Sequence, residues 1–238
     1  MEVASVVFAA TFVRSALGFG EALFSVPLLA LLIPVTVAAP IAALVSITVA
    51  AVVLLQDWRH VHVRSASRLV ASTLFGIPLG LILLTHAPEP LVKGVLASII
   101  ITFAAYWMVH PAARLPDDRW AWLFGFGAGI LGGAYGMNGP PLAIYGSLRS
   151  WTPGQFRATL QSYFLPASAV GMCGYWLAGL WTTPVTRLYL ASLPFVALAI
   201  VLGRQANRRL RADRFIAVVY AGLLVIGAIL LVQALSTR

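Results

Sequence analysis

Charged residues and cysteine are both scarce in this sequence. Only 10% of its 238 residues are charged, whereas 61% are hydrophobic, and a typical soluble domain has about 25% charged residues. Acidic residues number 7 against 16 basic ones. A single cysteine, Cys173, excludes an intramolecular disulfide and a cysteine-rich metal site. The composition is that of a membrane protein and not of a soluble domain.

Sequence motifs of common enzyme chemistries are missing too. The chain has no Walker loop, GxSxG elbow or HExxH. His60 and His62 form "HVH" in a predicted loop, where Asp57 is the only further metal ligand at a useful spacing. The net charge of +9 is spread through short loops, which indicates the positive-inside bias and not nucleic-acid binding. We predict no enzymatic activity, no metal site and no cofactor.

Long apolar runs make up most of the chain. A helix needs about 20 apolar residues to cross roughly 30 Å of hydrocarbon. Runs of about that length are Val37–Leu55, Leu69–Thr85, Leu91–Val109, Leu160–Leu180 and Phe215–Leu235. The sequence therefore predicts an all-α polytopic membrane protein with about eight hydrophobic segments.

The two halves of the chain resemble each other. "ASTLF" at 71–75 is echoed by "ASLPF" at 191–195, and "GFGE" at 18–21 pairs with "GMNG" at 136–139, at offsets of 120 and 118 residues. We predict two transmembrane repeats, 1–112 and 113–238, within one membrane domain. Each repeat opens with a broken or re-entrant helix that is followed by three continuous segments.

The basic residues predict that the second repeat is inverted. One arginine cluster follows the second segment, around 59–68, and another lies between the last two segments, around 204–214. Both clusters should be cytoplasmic, although they fall at non-equivalent places in the repeats. They reach the same side if residues 120–148 enter and leave on one side. Inverted repeats with paired broken helices are typical of secondary transporters.

The broken segments predict a binding site. Irregular backbone is tolerated at membrane depth only where protein or a water-filled cavity surrounds it, and the helix N-termini formed there attract anions. The alternative is that the glycines only permit close helix packing, which the double proline at 140–141 fits poorly. The predicted substrate-binding residues at the breaks are Gly18, Phe19, Gly20, Gly136, Met137, Asn138, Gly139 and Pro140.

Glu21 is the one acidic residue inside a hydrophobic segment. Burying its charge costs roughly 2.5 kcal/mol or more, so desolvation favours the protonated form. We therefore predict that Glu21 carries a coupled proton. The alternative is a hydrogen-bonded carboxyl group that stabilises the turn.

Two arginines and a glutamine are the candidate ligands for a substrate anion. Arg14 lies one turn before the first break, and Arg157 opens the segment after the second break, where Gln161 follows it. Each guanidinium can hold an anionic group through its fork of donors. For Arg157 the alternative is a snorkelling residue at the membrane interface.

At these residues the sequence resembles the TauE/SafE family of sulfite-exporter and toluenesulfonate-uptake permeases. "GFGEALFSVPLL" and "GGAYGMNGPPLAIY" are similar to its two glycine-rich motifs, and "RATLQSYF" is similar to its "RAT" stretch. Glu21 and Asn138 each replace a glycine that is usual in the family. The resemblance implies transport of small sulfur-containing or carboxylated anions across a bacterial inner membrane.

The leading hypothesis is a multi-pass secondary transporter of sulfite, a sulfonate or a short carboxylate, linked to protons. The alternatives are an intramembrane enzyme and a non-transporting membrane subunit. An intramembrane enzyme would need a nucleophile–base pair within the membrane, and the sequence offers none there. A non-transporting subunit would leave the paired helix breaks unexplained. The predicted partners are the anion, protons and the lipid bilayer. Self-association is left open.

Overall fold

In the computed structural model, the part of the chain that is described is α-helical and contains no β-strand. The structure describes residues 2–17, 20–57, 61–109, 115, 117–207 and 212–236. Ten helices lie in these ranges: α1 (Glu2–Leu17), α2 (Glu21–Ala30), α3 (Val35–Asp57), α4 (Val63–His86), α5 (Glu89–Val109), α6 (Ala121–Tyr135), α7 (Gly139–Leu148), α8 (Pro153–Leu177), α9 (Thr183–Asn207) and α10 (Ala212–Ser236). The predicted all-α fold is confirmed.

Four of these helices are long and apolar enough to cross a membrane. Their apolar spans are Val35–Leu55, Val63–His86, Glu89–Tyr106 and Thr183–Ala206, within α3, α4, α5 and α9. Shorter apolar helices are α2, α6 and the last part of α10. Helix α8 has 25 residues but is not among the four; its first half carries Gln155, Arg157 and Gln161. Together these helices support a multi-pass membrane location.

Both predicted breaks are present. Helix α1 ends at Leu17 and α2 begins at Glu21, while α6 ends at Tyr135 and α7 begins at Gly139. Glycine in the left-handed region lies in each break, with φ of 100° at Gly20 and 65° at Gly136. This conformation costs other L-residues about 1–2 kcal/mol. The glycines therefore allow the chain to change direction inside an apolar segment.

Helices α6 and α7 form a hairpin that returns to the end where it started. Just before α6, the Leu115 amide donates to the Leu148 carbonyl at 2.8 Å. The Arg149 guanidinium, just after α7, donates to the Leu115 carbonyl at 2.9 Å. The two ends of this segment are therefore adjacent, which agrees with the predicted re-entrant path of residues 120–148.

Asp118 links this hairpin to α4. Its Oδ1 accepts hydrogen bonds of 2.8 Å from Ser65 of α4 and from Tyr145 of α7, and it lies 3.3 Å from Arg149 Nε. Burial raises the pKa of Asp118, but the hydrogen bonds from Ser65 and Tyr145 and the charges of Arg149 and His62 outweigh it, so its pKa lies below the ordinary value. The carboxylate form is the one that stabilises the hairpin.

The same end of the bundle gathers several arginines, one of which, Arg64, belongs to the first predicted cytoplasmic cluster. His62, before α4, donates its amide to Thr159 of α8 at 2.9 Å, which brings the start of α8 beside the Asp118 contacts. Arg64, Arg119, Arg149 and Arg157 lie in the segments that meet here. Most of the second arginine cluster, including 208, 209 and 211, lies outside the described residues.

We expect Asp118→Asn to lower the free energy of unfolding by about 1.5–3 kcal/mol at neutral pH, because hydrogen bonds to a charged acceptor are lost. A group whose pKa is lowered by folding stabilises the fold above its unfolded pKa, and that contribution is lost as pH falls through the folded pKa. The difference between wild type and variant should therefore shrink below about pH 4. Unfolding of both proteins in detergent micelles as a function of pH measures this difference in the free energy of unfolding.

The control is Asp117→Asn, because Asp117 forms an exposed ion pair with Arg119 (side chains 46% and 88% exposed). Such pairs contribute about 0–1 kcal/mol. Equal effects of the two substitutions, or a difference that stays constant as the pH falls, would show that the Asp118 carboxylate does not tie the hairpin to α4.

Glycines permit very close packing of α4 on α6 and of α1 on α9. A Cβ at Gly80 of α4 would lie 2.1 Å from the Ile130 carbonyl oxygen, and a Cβ at Gly203 of α9 would lie 2.8 Å from the Phe12 carbonyl oxygen. Phe12 and Ile130 are 118 residues apart, which is the offset between the two breaks. Small residues allow such close approach between membrane helices.

We expect Gly133→Ala in α6 to destabilise the protein by about 1–3 kcal/mol, because overpacking forces the helices apart. Its Cβ would lie 2.2 Å from the Ile77 carbonyl oxygen. The matched control is Gly127→Ala in the same helix, where no described atom lies within 4 Å of the new Cβ. Because alanine favours helix over glycine by about 0.5–1 kcal/mol, the control should unfold at the same or a higher denaturant concentration. Similar destabilisation by both would contradict the close contact.

Candidate anion site between the two breaks

The first break presents the N-terminus of α2 to the protein interior. Gly20 caps this helix, and its carbonyl accepts from the Phe24 amide at 3.2 Å. The amides of Glu21, Ala22 and Leu23 belong to the first turn, where backbone N–H groups have no partner within the helix. These amides are hydrogen-bond donors of the type that binds anions.

The second break is held by a glycine cap and by prolines. The Gly136 amide donates to Gly132 at 2.9 Å, which is the 5→1 bond of an αL cap, and the Met137 amide donates to Leu131 at 3.2 Å. Two prolines then open α7, and proline is favoured at the first helical positions because it has no N–H to leave unpaired. Helix α7 therefore supplies fewer amide donors than α2 does.

A small cavity lies where the two breaks meet. Its volume is about 20 Å³, close to the space that one water molecule needs. The lining comes from both breaks and from α1, α2, α3 and α8: Arg14, Gly20, Glu21, Ala22, Leu23, Ser46, Gly136, Asn138, Gly139 and Phe164. We call this the central cavity. It must widen to admit a molecule larger than water.

Arg14 is the cationic side chain in the central cavity lining, and it is 3% exposed. Its Nη1 donates to Glu21 Oε2 and to Ser46 Oγ at 3.1 Å. Its Nη2 donates to Gln161 Oε1 at 2.6 Å. The guanidinium carbon lies 4.9 Å from the centre of the Phe164 ring, a distance at which a cation is attracted to an aromatic face. Residues from three other helices, α2, α3 and α8, therefore fix its position.

Glu21 is the partner of Arg14 in a buried ion pair. Its side chain is 2% exposed, and the pair spans the first break, since Arg14 belongs to α1 and Glu21 opens α2. The other carboxylate oxygen, Oε1, is buried and has no hydrogen-bond partner among the described residues. A buried pair of this kind is neutral as a whole, but removal of either partner leaves an uncompensated charge.

Asn138 in the second break is positioned by a chain of hydroxyl groups. Its Nδ2 donates to the Tyr163 hydroxyl at 3.3 Å. That hydroxyl lies 2.6 Å from Thr73 Oγ1, which in turn donates to the Gly125 carbonyl at 2.8 Å. The Asn138 side chain forms no cap on α7. It is therefore fixed against α8 and α4 at the edge of the central cavity.

The predicted site residues fall into three groups. Arg14, Gly20, Glu21, Gly136, Asn138 and Gly139 line the central cavity, and Gln161 reaches Arg14. Met137 is fully buried in the hydrophobic core, Pro140 lines a separate apolar groove beside α5, and Arg157 lies one turn before Gln161 on α8. Gly18 and Phe19 lie outside the described residues.

The sequence matches a known protein family along nearly its whole length. The family model described as "Sulfite exporter TauE/SafE" matches residues 3–230, nearly the whole chain. The chain belongs to the TauE/SafE family. Membership implies a membrane transporter of sulfite or related anions, since the TauE/SafE family is a family of transporters. Neither the curated proteins nor the solved structures gave a match.

Proposed function

We propose that this protein is a secondary transporter of a small sulfur-containing or organic oxyanion, such as sulfite, a sulfonate or a short carboxylate, in a bacterial inner membrane. Proton movement through Glu21 is part of the proposal. The observation that carries it is a buried arginine facing a cavity where two half-helices begin. Guanidinium and backbone N–H groups are the donors that oxyanions bind best in proteins.

The proposal includes an inverted repeat and alternating access. The contact of Gly80 with Ile130 has a counterpart in the contact of Gly203 with Phe12, and the breaks at Gly20 and Gly136 come near the start of each half. Such an arrangement supports a pathway in which the two halves exchange roles around a fixed central site. On this proposal, the present structure, with its small central cavity, represents an occluded state of the transporter.

Uptake into proteoliposomes tests the proposed function. We expect saturable accumulation of radiolabelled sulfite, methanesulfonate or acetate, with mutual competition among the anions that are carried. Liposomes without protein, prepared in parallel, give the background. If none of these anions enters faster than the background under either direction of pH gradient, the proposed substrate class is wrong.

A further inference from the structure

We propose that Glu21 and a singly charged substrate anion bind Arg14 in turn, so that one proton enters Glu21 for each anion bound. This inference rests on the proposed transport function and adds to it a substrate charge and a stoichiometry. It starts from the ion pair in the central cavity, in which Glu21 already occupies the place of an anionic ligand.

The contacts of Arg14 favour such an exchange, although its buried Nε has no hydrogen-bond partner among the described residues. Both terminal nitrogens of the guanidinium have partners, which are Glu21 and Ser46 on Nη1 and Gln161 on Nη2, and Phe164 lies on its face. An anion that displaced a neutral partner would place two negative charges beside one buried cation. An anion that displaces a protonated Glu21 leaves the site neutral. Burying an uncompensated charge costs several kcal/mol, so charge decides between these outcomes.

The ion pair also indicates where the proton binds. Arg14 donates a hydrogen bond to Glu21 Oε2, whereas Glu21 Oε1 is buried with no hydrogen-bond partner among the described residues. A proton on Oε1 removes the negative charge of the carboxylate and weakens its bond to Arg14. Because Glu21 itself lines a cavity of only about 20 Å³, its release from Arg14 would also make room for the anion.

The other groups around Glu21 contribute no further charge. Helix α1 presents Arg14 to Glu21. Among the described side chains, no other charged group lines the central cavity from the neighbouring helices α3, α5, α7, α8 and α10. The lining residues Ser46, Asn138 and Phe164 are neutral. Each break joins a helix C-terminus to a helix N-terminus, so the partial charges of the helix dipoles largely offset each other. The site therefore carries one positive charge when Glu21 is protonated.

This charge balance specifies the substrate class. One positive charge is matched by one monoanion, such as a sulfonate, a carboxylate or hydrogen sulfite. A dianion such as sulfate would leave one buried negative charge. We therefore expect the site to select monoanions and each binding event to take up one proton.

Binding to the purified protein in detergent tests the exchange. Methanesulfonate and sulfate serve as probes, because their charges of −1 and −2 stay constant across the pH range used. We expect methanesulfonate affinity to fall about tenfold for each pH unit above the Glu21 titration, as linkage to one proton requires. Its addition to weakly buffered protein should remove one proton per anion from solution, and sulfate should bind at least about tenfold more weakly.

Glu21→Gln and a matched control complete the test. The glutamine keeps an acceptor for Arg14 but cannot ionise, so this variant should bind methanesulfonate with the same affinity at every pH. Glu89→Gln is the control, since Glu89 is a half-exposed acid that pairs with Lys93 at 3.1 Å at the start of α5. It should keep the pH dependence of the wild type.

The outcomes separate this inference from the transport proposal. Methanesulfonate binding that does not vary with pH in the wild type, or that varies equally in Glu21→Gln, would overturn the exchange and leave anion transport standing. Sulfate binding as tight as methanesulfonate binding would overturn the monoanion selectivity. Failure of the wild-type protein to bind methanesulfonate, acetate or sulfite at any pH would overturn both proposals.

Discussion

Arg14→Gln is expected to lower the affinity for methanesulfonate by at least about 100-fold, which corresponds to roughly 3 kcal/mol. Arg14 is the cation that lines the central cavity among the described residues, and it binds Glu21, Ser46 and Gln161. Its removal takes away the charge that holds the anion and leaves the Glu21 carboxylate buried without a counter-ion. Titration of the purified variant with methanesulfonate measures the loss.

The double variant Arg14→Gln with Glu21→Gln separates folding from binding. Arg14→Gln alone should also lower the free energy of unfolding, because breaking a buried ion pair costs about 3–5 kcal/mol. Removing both charges should restore much of that stability without restoring anion binding, and a double-mutant cycle gives the coupling between the two residues. If the double variant binds methanesulfonate as tightly as the wild type, Arg14 holds the break together and is not an anion ligand.

Gly136→Ala is expected to abolish transport and to lower the stability by about 2–5 kcal/mol. Two costs add at this position. Gly136 has a φ of 65°, and its Cβ would lie 2.6 Å from the Ala39 carbonyl oxygen of α3. The backbone of α3 cannot yield as a flexible side chain would, so the second break should shift and move Asn138 and Gly139 out of the central cavity. Uptake into proteoliposomes and unfolding in detergent measure the two effects.

Gly179→Ala is the matched control for this prediction. Gly179 has a φ of 72°, but no described atom lies within 4 Å of its Cβ position. Gly179→Ala should therefore lower the free energy of unfolding only by the cost of the left-handed conformation, about 1–2 kcal/mol, and the variant should keep the transport rate of the wild type. Equal losses of transport in both variants would show that the contact between the second break and α3 does not position the site.

The breaks could be predicted from the sequence because their cause is local. Glycine and proline weaken a helix wherever they occur, so "GFGE" and "GMNGPP" predict interruptions without knowledge of the packing. The long apolar runs predict membrane helices for the same reason, since length and composition suffice. These predictions depend on residues that are close together in the chain.

The ion pair between Arg14 and Glu21 was not predicted, although each residue was a candidate for a separate role. They are seven residues apart across a break, and helical spacing does not determine which way a chain turns beyond a left-handed glycine. The hydrogen bond of Arg14 with Gln161 joins α1 to α8 across 147 residues of sequence, so it depends on the tertiary fold. An arginine and a glutamate in one apolar run are the signal that could have suggested the pair.

Two parts of the site had weaker signals or none. Ser46 and Phe164 are ordinary residues of apolar segments, and only the packing of α3 and α8 brings them to Arg14. Pro140 belongs to a motif that the sequence placed in the site, yet as the first of two prolines in α7 it faces α5. A motif can mark the position of a break without indicating which of its side chains face the cavity.

The position of a bound anion tests the central claim most directly. Crystals grown at low pH with bromomethanesulfonate, a monoanion whose bromine gives an anomalous signal, would locate it. We expect the sulfonate between Arg14 and the first amides of α2, with oxygens about 2.8 Å from the guanidinium nitrogens and Glu21 turned away from Arg14. A sulfonate bound elsewhere, with the pair of Arg14 and Glu21 intact, would contradict the account.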